Sequence, residues 1–545
     1  MIFCKLQSSA PYSYTKSGVE AGRPLPADMT YNFLLVLLLC QHAYSLNILA
    51  VVSLPLRSHY TAFQRLFEEL SRRGHSVTVM NNYPQNETDT LKFVDLTVER
   101  PSMKPIPPMS EYEQVDPRHA HLINMYHHIV WGPPIAAEDC ENFFTNDNVK
   151  ALIASGKKFD VIFVEQFACD CGLAYAAVTY DAPIIGITSH TLLPWTYSRL
   201  GIPFDIASDP FYFSPHGTNP SLWGKIENFL MHKLLFSIGR WYMQRSLYGV
   251  FNKHISGVNL DVEKIGKERM KMVFVYQHHS ITGARLASPQ LLEIGGSHIH
   301  QSKPVSKEIE NFLSTAKDGA IYVSFGSNLK ANTMSSYKMQ QFLQAFKKIP
   351  QKILWKLDNV TLPTGYDKIY TNKWFSQLDV LCHPKIIGFI SHGGMLSLSE
   401  AAHCGKPLIT MPFFGDQFSN VAAAAEAGIG ISMTFQQLDA ESLLAAIRKL
   451  TSSKMRQSAK KVSKLWHDRP MDVLDSAIYW TEYVARYRES PPHLPSKNSS
   501  WFQLLLLDVY SVLIALFVFV SLFLYFLAKV IGSLLKICSN KDKKD

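Results

Sequence analysis

The sequence predicts an α/β protein built from two doubly wound domains. Three observations point there: a strand–helix–strand series opens after residue 45, a second series opens near residue 319, and a stretch rich in proline and glycine separates them. At 545 residues the chain is too long for one ordinary domain. LNILAVVSL (46–54) is almost continuously apolar, the pattern of a strand buried on both faces. After the loop PLRSHY, the segment TAFQRLFEELSRRG places Phe63, Leu66, Phe67 and Leu70 at i, i+3, i+4 and i+7. That is an amphipathic helix, ended by Gly74. HSVTVM (75–80) is the next strand, and this order implies parallel pairing with a right-handed crossover. KFDVIFVE (158–165) and APIIGITS (182–189) extend the first domain, assigned to 46–288.

Pro289, Gly295, Gly296 and Pro304 mark 289–306 as the linker. The second domain, 307–470, contains the strands GAIYVSFG (319–326), KILWKL (352–357), IIGFIS (386–391) and PLIT (407–410). Two such domains face each other across a cleft outside their strand C-termini, where open sheets bind ligands. No G-x-G-x-x-G follows any of these strands, which disfavours a dinucleotide.

The ends carry sorting information. FLLVLLLC (33–40) with Ala43-Tyr44-Ser45 is a secretory signal, so 1–45 is an upstream extension plus signal peptide. VYSVLIALFVFVSLFLYFLA (509–528) carries no charge, and at about 1.5 Å per residue it spans the roughly 30 Å hydrocarbon core. We assign 471–500 to a helix returning to the first lobe and a juxtamembrane stretch, 504–528 to a transmembrane helix, and 529–545 to a cytoplasmic tail. Lys529, Lys536, Lys541, Lys543 and Lys544 support that orientation, a single-pass type I protein with a lumenal body. Lys541 and Lys543 resemble a dilysine signal for return to the endoplasmic reticulum, and Asn86 and Asn359 head glycosylation sequons.

The five lumenal cysteines (Cys140, Cys169, Cys171, Cys382, Cys404) are odd in number and lack metal-finger spacing, which argues against a disulfide framework or a structural zinc. His119, His121, His127 and His128 read as a polar helix face. The net charge of +9 comes from scattered lysines and arginines, not a stripe interleaved with aromatics, so no nucleic-acid partner is expected. Assembly with further copies of the chain stays open.

The chemistry concentrates in FISHGGMLSLSEAAHCGKPLITMPFFGDQFSN (389–420). A strand ends at FIS, His392-Gly393-Gly394 makes the turn, and a short helix follows. Glycines let backbone approach a ligand, and a helix N-terminus offers free N–H groups and a positive dipole end, the requirements of a diphosphate site. Ser397 adds a hydroxyl, and Glu400, one turn on, can accept two bonds from a ribose diol. Trp374 offers a face for a base and Gln377 its amide for the base edge. Gly326-Ser327 closes the domain's first strand as a further phosphate contact. Asp416-Gln417, with Asn420, opens the next helix towards sugar hydroxyls. His-Gly-Gly also begins a hydrolase oxyanion loop, but that chemistry needs G-x-S-x-G, and none occurs. The chain has no D-x-D pair either, so no metal is expected. In the first domain, His59 follows the first strand, where an imidazole can serve as a general base. Glu165, ending a strand, is the carboxylate to orient it, with Asp170 as the alternative.

These residues form H-G-G-x-x-S-x-x-E, P-L-I-T-M-P and F-G-D-Q in order, and the span Trp374–Gln417 resembles the nucleotide-sugar signature of the UDP-glycosyltransferase family. The resemblance extends through LPLRSHYTAFQRLFEELSRRGHSVTV, SFGSN and YWTEYVARY. It implies a GT-B fold, an acceptor-binding first lobe, a UDP-sugar as co-substrate with no other cofactor, and inverting transfer of a hexose to a small lipophilic acceptor, as in detoxification. The tail and FGDQ look more like invertebrate members that use UDP-glucose. Ser376 stands where the family usually has proline, implying a looser loop, and Glu165 where it often has aspartate. These departures leave a second reading, a membrane-anchored UDP-sugar or lipophile-binding protein that keeps the fold without turnover.

Overall fold

The computed structural model describes residues 45–99, 102, 106–167, 169–209, 211–255, 260–358, 360–488 and 491–541. The signal region to residue 44, Asn359, Lys543 and Lys544 lie outside them. The first sheet contains β1 (Asn47–Val51), β2 (Ser76–Asn81), β3 (Leu91–Asp95), β4 (Val161–Glu165), β5 (Ile184–Thr188), β6 (Met270–Val275) and β7 (Leu291–Glu293), all parallel, in the order β3-β2-β1-β4-β5-β6-β7. β7 lies inside the stretch read as a linker, so the first lobe's sheet reaches Glu293.

The second sheet contains β8 (Ala320–Ser324), β9 (Lys352–Lys356), β10 (Ile369–Asn372), β11 (Ile386–Ser391), β12 (Leu408–Thr410) and β13 (Gly430–Ser432). These are also parallel, in the order β10-β9-β8-β11-β12-β13. Each sheet is covered on both faces because alternate residues of its strands feed different cores. Leu49 and Val51 enter one cluster with Ile162 and Val164, while Ile48 and Ala50 enter another with Val161 and Phe163.

The order reverses between β1 and β4 in one sheet and between β8 and β11 in the other. Those are the crevices where doubly wound sheets bind ligands.

Two pieces of chain stitch the lobes. Helix Val473–Arg486 buries Leu474, Ala477, Ile478 and Val484 in the first lobe's core. In the opposite direction, residues 106–113 leave the first lobe and bury Met109 completely in the second lobe's core. This strap is fastened by Met109 N–H to Thr333 Oγ1 (2.9 Å), Ser335 N–H to Glu113 Oε1 (2.9 Å) and Gln436 Nε2 to Tyr112 O (2.9 Å).

The cysteine expectation is corrected. Cys140–Cys171 and Cys382–Cys404 are disulfides, and Cys169 remains a buried thiol. An odd count does not decide pairing; the fold does, by bringing Cα atoms to 5.6 and 4.8 Å. The histidine run divides: His119 and His127 are exposed, whereas His121 turns inward, its Nε2 2.5 Å from Glu227 Oε1. Helix Leu507–Lys541 carries a span, Leu507–Leu534, long and apolar enough to cross a membrane.

Candidate active site

The first lobe's crevice is occupied by a histidine–carboxylate pair. The loop reading of residues 57–59 is corrected: the helix begins at Arg57, so His59 sits in the first turn of Arg57–Arg72. Its Nδ1 lies 2.5 Å from Oε1 of Glu165, the last residue of β4, with side chains 12% and 3% exposed. Val51 pairs with Val164, so strand register fixes this meeting. Phe167 stands edge-on to the His59 ring at 4.9 Å, and His190 follows at 5.8 Å. Tyr212 meets both His190 (4.9 Å) and Phe167 (6.2 Å), completing an aromatic wall.

Asp170, the alternative partner, is committed elsewhere. Its Oδ1 accepts from Arg199 Nη2 (3.1 Å) and its Oδ2 from Arg240 Nη2 (2.5 Å), all within the buried core. Burial opposes this carboxylate's charge, yet the two guanidiniums hold its pKa below the usual range.

In the second lobe, Gly326 follows β8 with φ +81°, and a Cβ there would stand 2.7 Å from the His392 ring. Gly326→Ala should therefore cost about 1–2 kcal/mol in stability. Thermal unfolding measures the effect.

Gly394 caps helix Met395–His403 without a side-chain cap, which leaves the first-turn N–H groups open towards the crevice. Ser397 is buried in that first turn. Trp374 is 62% exposed, free to stack. The sequence missed Lys356, at the end of β9: its Nζ lies 4.3 Å from the Trp374 ring centroid and donates to Gly326 O at 2.8 Å. A cation beside Gly326 and His392 suits an anionic ligand.

Gln377 Nε2 donates to Ser397 Oγ (3.0 Å) and Glu400 Oε2 (2.7 Å), so its amide ties two site residues together. The sequence also missed His298. Its Nε2 lies 3.2 Å from Glu400 Oε1 and its Nδ1 meets the Tyr276 hydroxyl, joining the two lobes. Ser376 does not loosen its loop: its hydroxyl donates to Asp379 Oδ2 (2.5 Å), while Asp379 Oδ1 accepts the Lys303 N–H (2.7 Å).

Asp416 occupies the N-cap position of helix Gln417–Glu426 but makes no cap hydrogen bond. Its Oδ2 accepts from Asn420 Nδ2 (2.7 Å), which also donates to Gly393 O (3.1 Å). Gln417 Oε1 accepts the N–H groups of Phe413 and Phe414 (2.8 and 3.2 Å). Burial raises the Asp416 carboxyl above its usual pKa, while Asn420 and the charge of His59 pull it back in part. The second lobe's acid thus lies within electrostatic reach of the first lobe's histidine. Ser327 is exposed at the rim, and Asn86 is exposed between β2 and β3.

Burial, with the charge of His59 added, lowers His190 to about 3; burial, with Lys356 added, lowers His392 to about 4. Unfolded imidazoles titrate near ~6.5. Above that pH neither state holds the proton. Below it the unfolded chain takes up protons the native state refuses, so stability falls by up to about 1.4 kcal/mol per pH unit for each such histidine. Unfolding followed from about pH 7 down to about pH 4.5 should show this decline, less steep in His190→Gln.

Similarity to known proteins identifies the family. A family profile described as UDP-glucoronosyl and UDP-glucosyl transferase matches residues 49–544. The chain is 31% identical to UDP-glycosyltransferase UGT5 of Dactylopius coccus, over 90% of its own length and 92% of the relative's. It is 29% identical to UDP-glucosyltransferase 2 of the same organism, over 86% and 90%. Among solved structures, the glycotransferase of kitacinnamycin has a TM-score of 0.55 at 16% identity, covering 81% of this chain and 99% of that one, a likeness of fold. With two parallel-sheet lobes and a family match running almost the whole length of the chain, this protein belongs to the UDP-glucoronosyl and UDP-glucosyl transferase family and is a UDP-glycosyltransferase of the GT-B fold.

Proposed function

We propose that the enzyme transfers glucose from UDP-glucose to a hydroxyl of a small lipophilic acceptor, inverting the anomeric carbon. The observation that carries this reading is the His59–Glu165 pair, 2.5 Å apart at the first lobe's switch point and within electrostatic reach of Asp416. Glu165 fixes the ring through Nδ1, leaving Nε2 to take the acceptor's proton. The acceptor oxygen then attacks the anomeric carbon, the bond to UDP breaks on the opposite face, and Glu165 stabilises the imidazolium.

The departing diphosphate is held by the open N-terminus at Gly393 and Gly394, with Ser397, His392, Lys356, Gly326 and Ser327 around it. His392 stays neutral, so it acts as a hydrogen-bond donor rather than a cation. Trp374 stacks on the base with Gln377 beside it, Glu400 binds the ribose, and Asp416 and Gln417, braced by Asn420, bind the sugar. The aromatic wall of Phe167, His190 and Tyr212 favours an apolar acceptor. Glucose as donor is supported by the relative named UDP-glucosyltransferase 2.

The enzyme works in detoxification at the endoplasmic reticulum membrane, its lobes lumenal, Asn86 and Asn359 glycosylated, and Leu507–Leu534 its anchor. The test is transfer from radiolabelled UDP-glucose to a panel of phenols by microsomes. Product from wild type, and little from Glu165→Gln, is expected. Binding of UDP without transfer from any donor would overturn the reading in favour of a binding protein.

A further inference from the structure

Residues 222–254 present an inverted surface. They form helix Leu222–Leu234, the π-helical segment Leu235–Gly239 and helix Arg240–His254. A helix facing water turns its polar residues outward. Here Asn228, His232 and Arg240 are buried, while Leu222, Trp223, Ile226, Leu230, Ile238 and Trp241 face out, the two tryptophans 76% and 67% exposed. Trp223, Ile226, Leu230, Leu234, Ile238 and Trp241, all exposed, recur every three or four positions, so they form one stripe. Tyr126 and Trp131, both exposed, continue it from helix Ala120–Val130, which packs on the π-helical segment.

Charge and position identify what covers the stripe. Residues 222–254 carry Lys225, Lys233, Arg240, Arg245 and Lys253 against one acid, Glu227. All of those cations except Arg240 are exposed. Lys253 pairs with Glu141, and the other three are left to the surface. Outward tryptophan, leucine and isoleucine together with exposed lysine and arginine is the composition of a helix lying in the headgroup boundary of an anionic bilayer. A second copy of the chain is a poorer partner, because a twofold contact would set these cations against one another.

The anchor leaves the body beside the same helices. Ser496 Oγ donates to Gly201 O (2.6 Å), at the end of helix Pro194–Leu200, and Phe204 stacks on His232 at 4.7 Å. From there to Leu507 the chain can reach at most about 36–40 Å even fully extended.

We propose that residues 222–254 form a second, monotopic membrane contact, with the Trp223–Trp241 stripe seated at the acyl boundary and the lysines at anionic headgroups. This rests on the anchor reading given above. The test labels the full-length chain in microsomes from within the bilayer, using a hydrophobic carbene-generating probe, and maps the modified peptides. Label in 222–241 as well as 507–534 is expected. Label confined to 507–534 overturns the proposal and leaves the anchor standing, whereas label in neither overturns both. Linkage of 222–241 to the same peptide of another copy, without bilayer label, assigns the stripe to a dimer and overturns it too. Trp223→Ser combined with Trp241→Ser should abolish label in 222–241 and leave label in 507–534 and basal transfer in detergent unchanged; full label in that variant also overturns the proposal.

Discussion

His59→Ala lowers kcat for sugar transfer by roughly 10²–10⁴-fold and leaves UDP affinity unchanged. The two halves of that expectation come from different lobes. His59 is held by Glu165 on first-lobe elements, while the residues proposed for UDP lie on second-lobe loops and helices. An imidazole positioned by a buried carboxylate contributes proton removal and little ground-state binding of the donor. Steady-state rates beside a calorimetric titration of UDP check it. A variant retaining wild-type kcat would remove His59 from the mechanism, and one losing UDP affinity would mark it as a donor ligand.

Asp170→Asn destabilises the fold by about 3–5 kcal/mol. The carboxylate faces Arg199 and Arg240, and Glu263 bridges the same two guanidiniums from its Oε1 and Oε2. Removing the Asp170 charge leaves two buried cations with one partly exposed acid between them. Denaturant unfolding of the full chain is the measurement; a change below about 1 kcal/mol would place the cluster with ordinary surface pairs. The pH dependence has a definite sign. The folded pKa is depressed, so this stabilisation is complete above the unfolded value near ~3.9 and is lost as pH falls through the folded one. Acid therefore acts twice: first on the buried histidines below about 6.5, then on Asp170.

The strands were legible because strands buried on both faces need apolar runs, and LNILAVVSL, VIFVE and IIGFIS satisfy that locally. The strand–turn–helix unit that holds His392, Gly393, Gly394, Ser397 and Glu400 was legible because those residues fall within one short stretch of the chain. The His59–Glu165 pairing was reachable because each follows or ends a recognisable strand. What escaped depends on residues far apart in the chain. Lys356 looks like an ordinary strand-end lysine until β9 lies beside β8. His298 meets Glu400 across 102 positions, and Met109 meets Thr333 across 224. Residues 222–241 drew no reading from the sequence: apolar residues at helical spacing ordinarily mark a buried face, and here the chain turns that face outward.

The strap at 106–113 also sets a timetable. Met109 is synthesised 224 residues before Thr333, its partner in the second lobe. At about 5–20 residues per second, Met109 waits roughly ten to forty-five seconds before that partner exists. During this interval the nascent first lobe carries an apolar plug with no socket, a natural stopping place for a chaperone. The second lobe, finished later, cannot close its core from its own residues alone, so maturation of the two lobes ends in a single event.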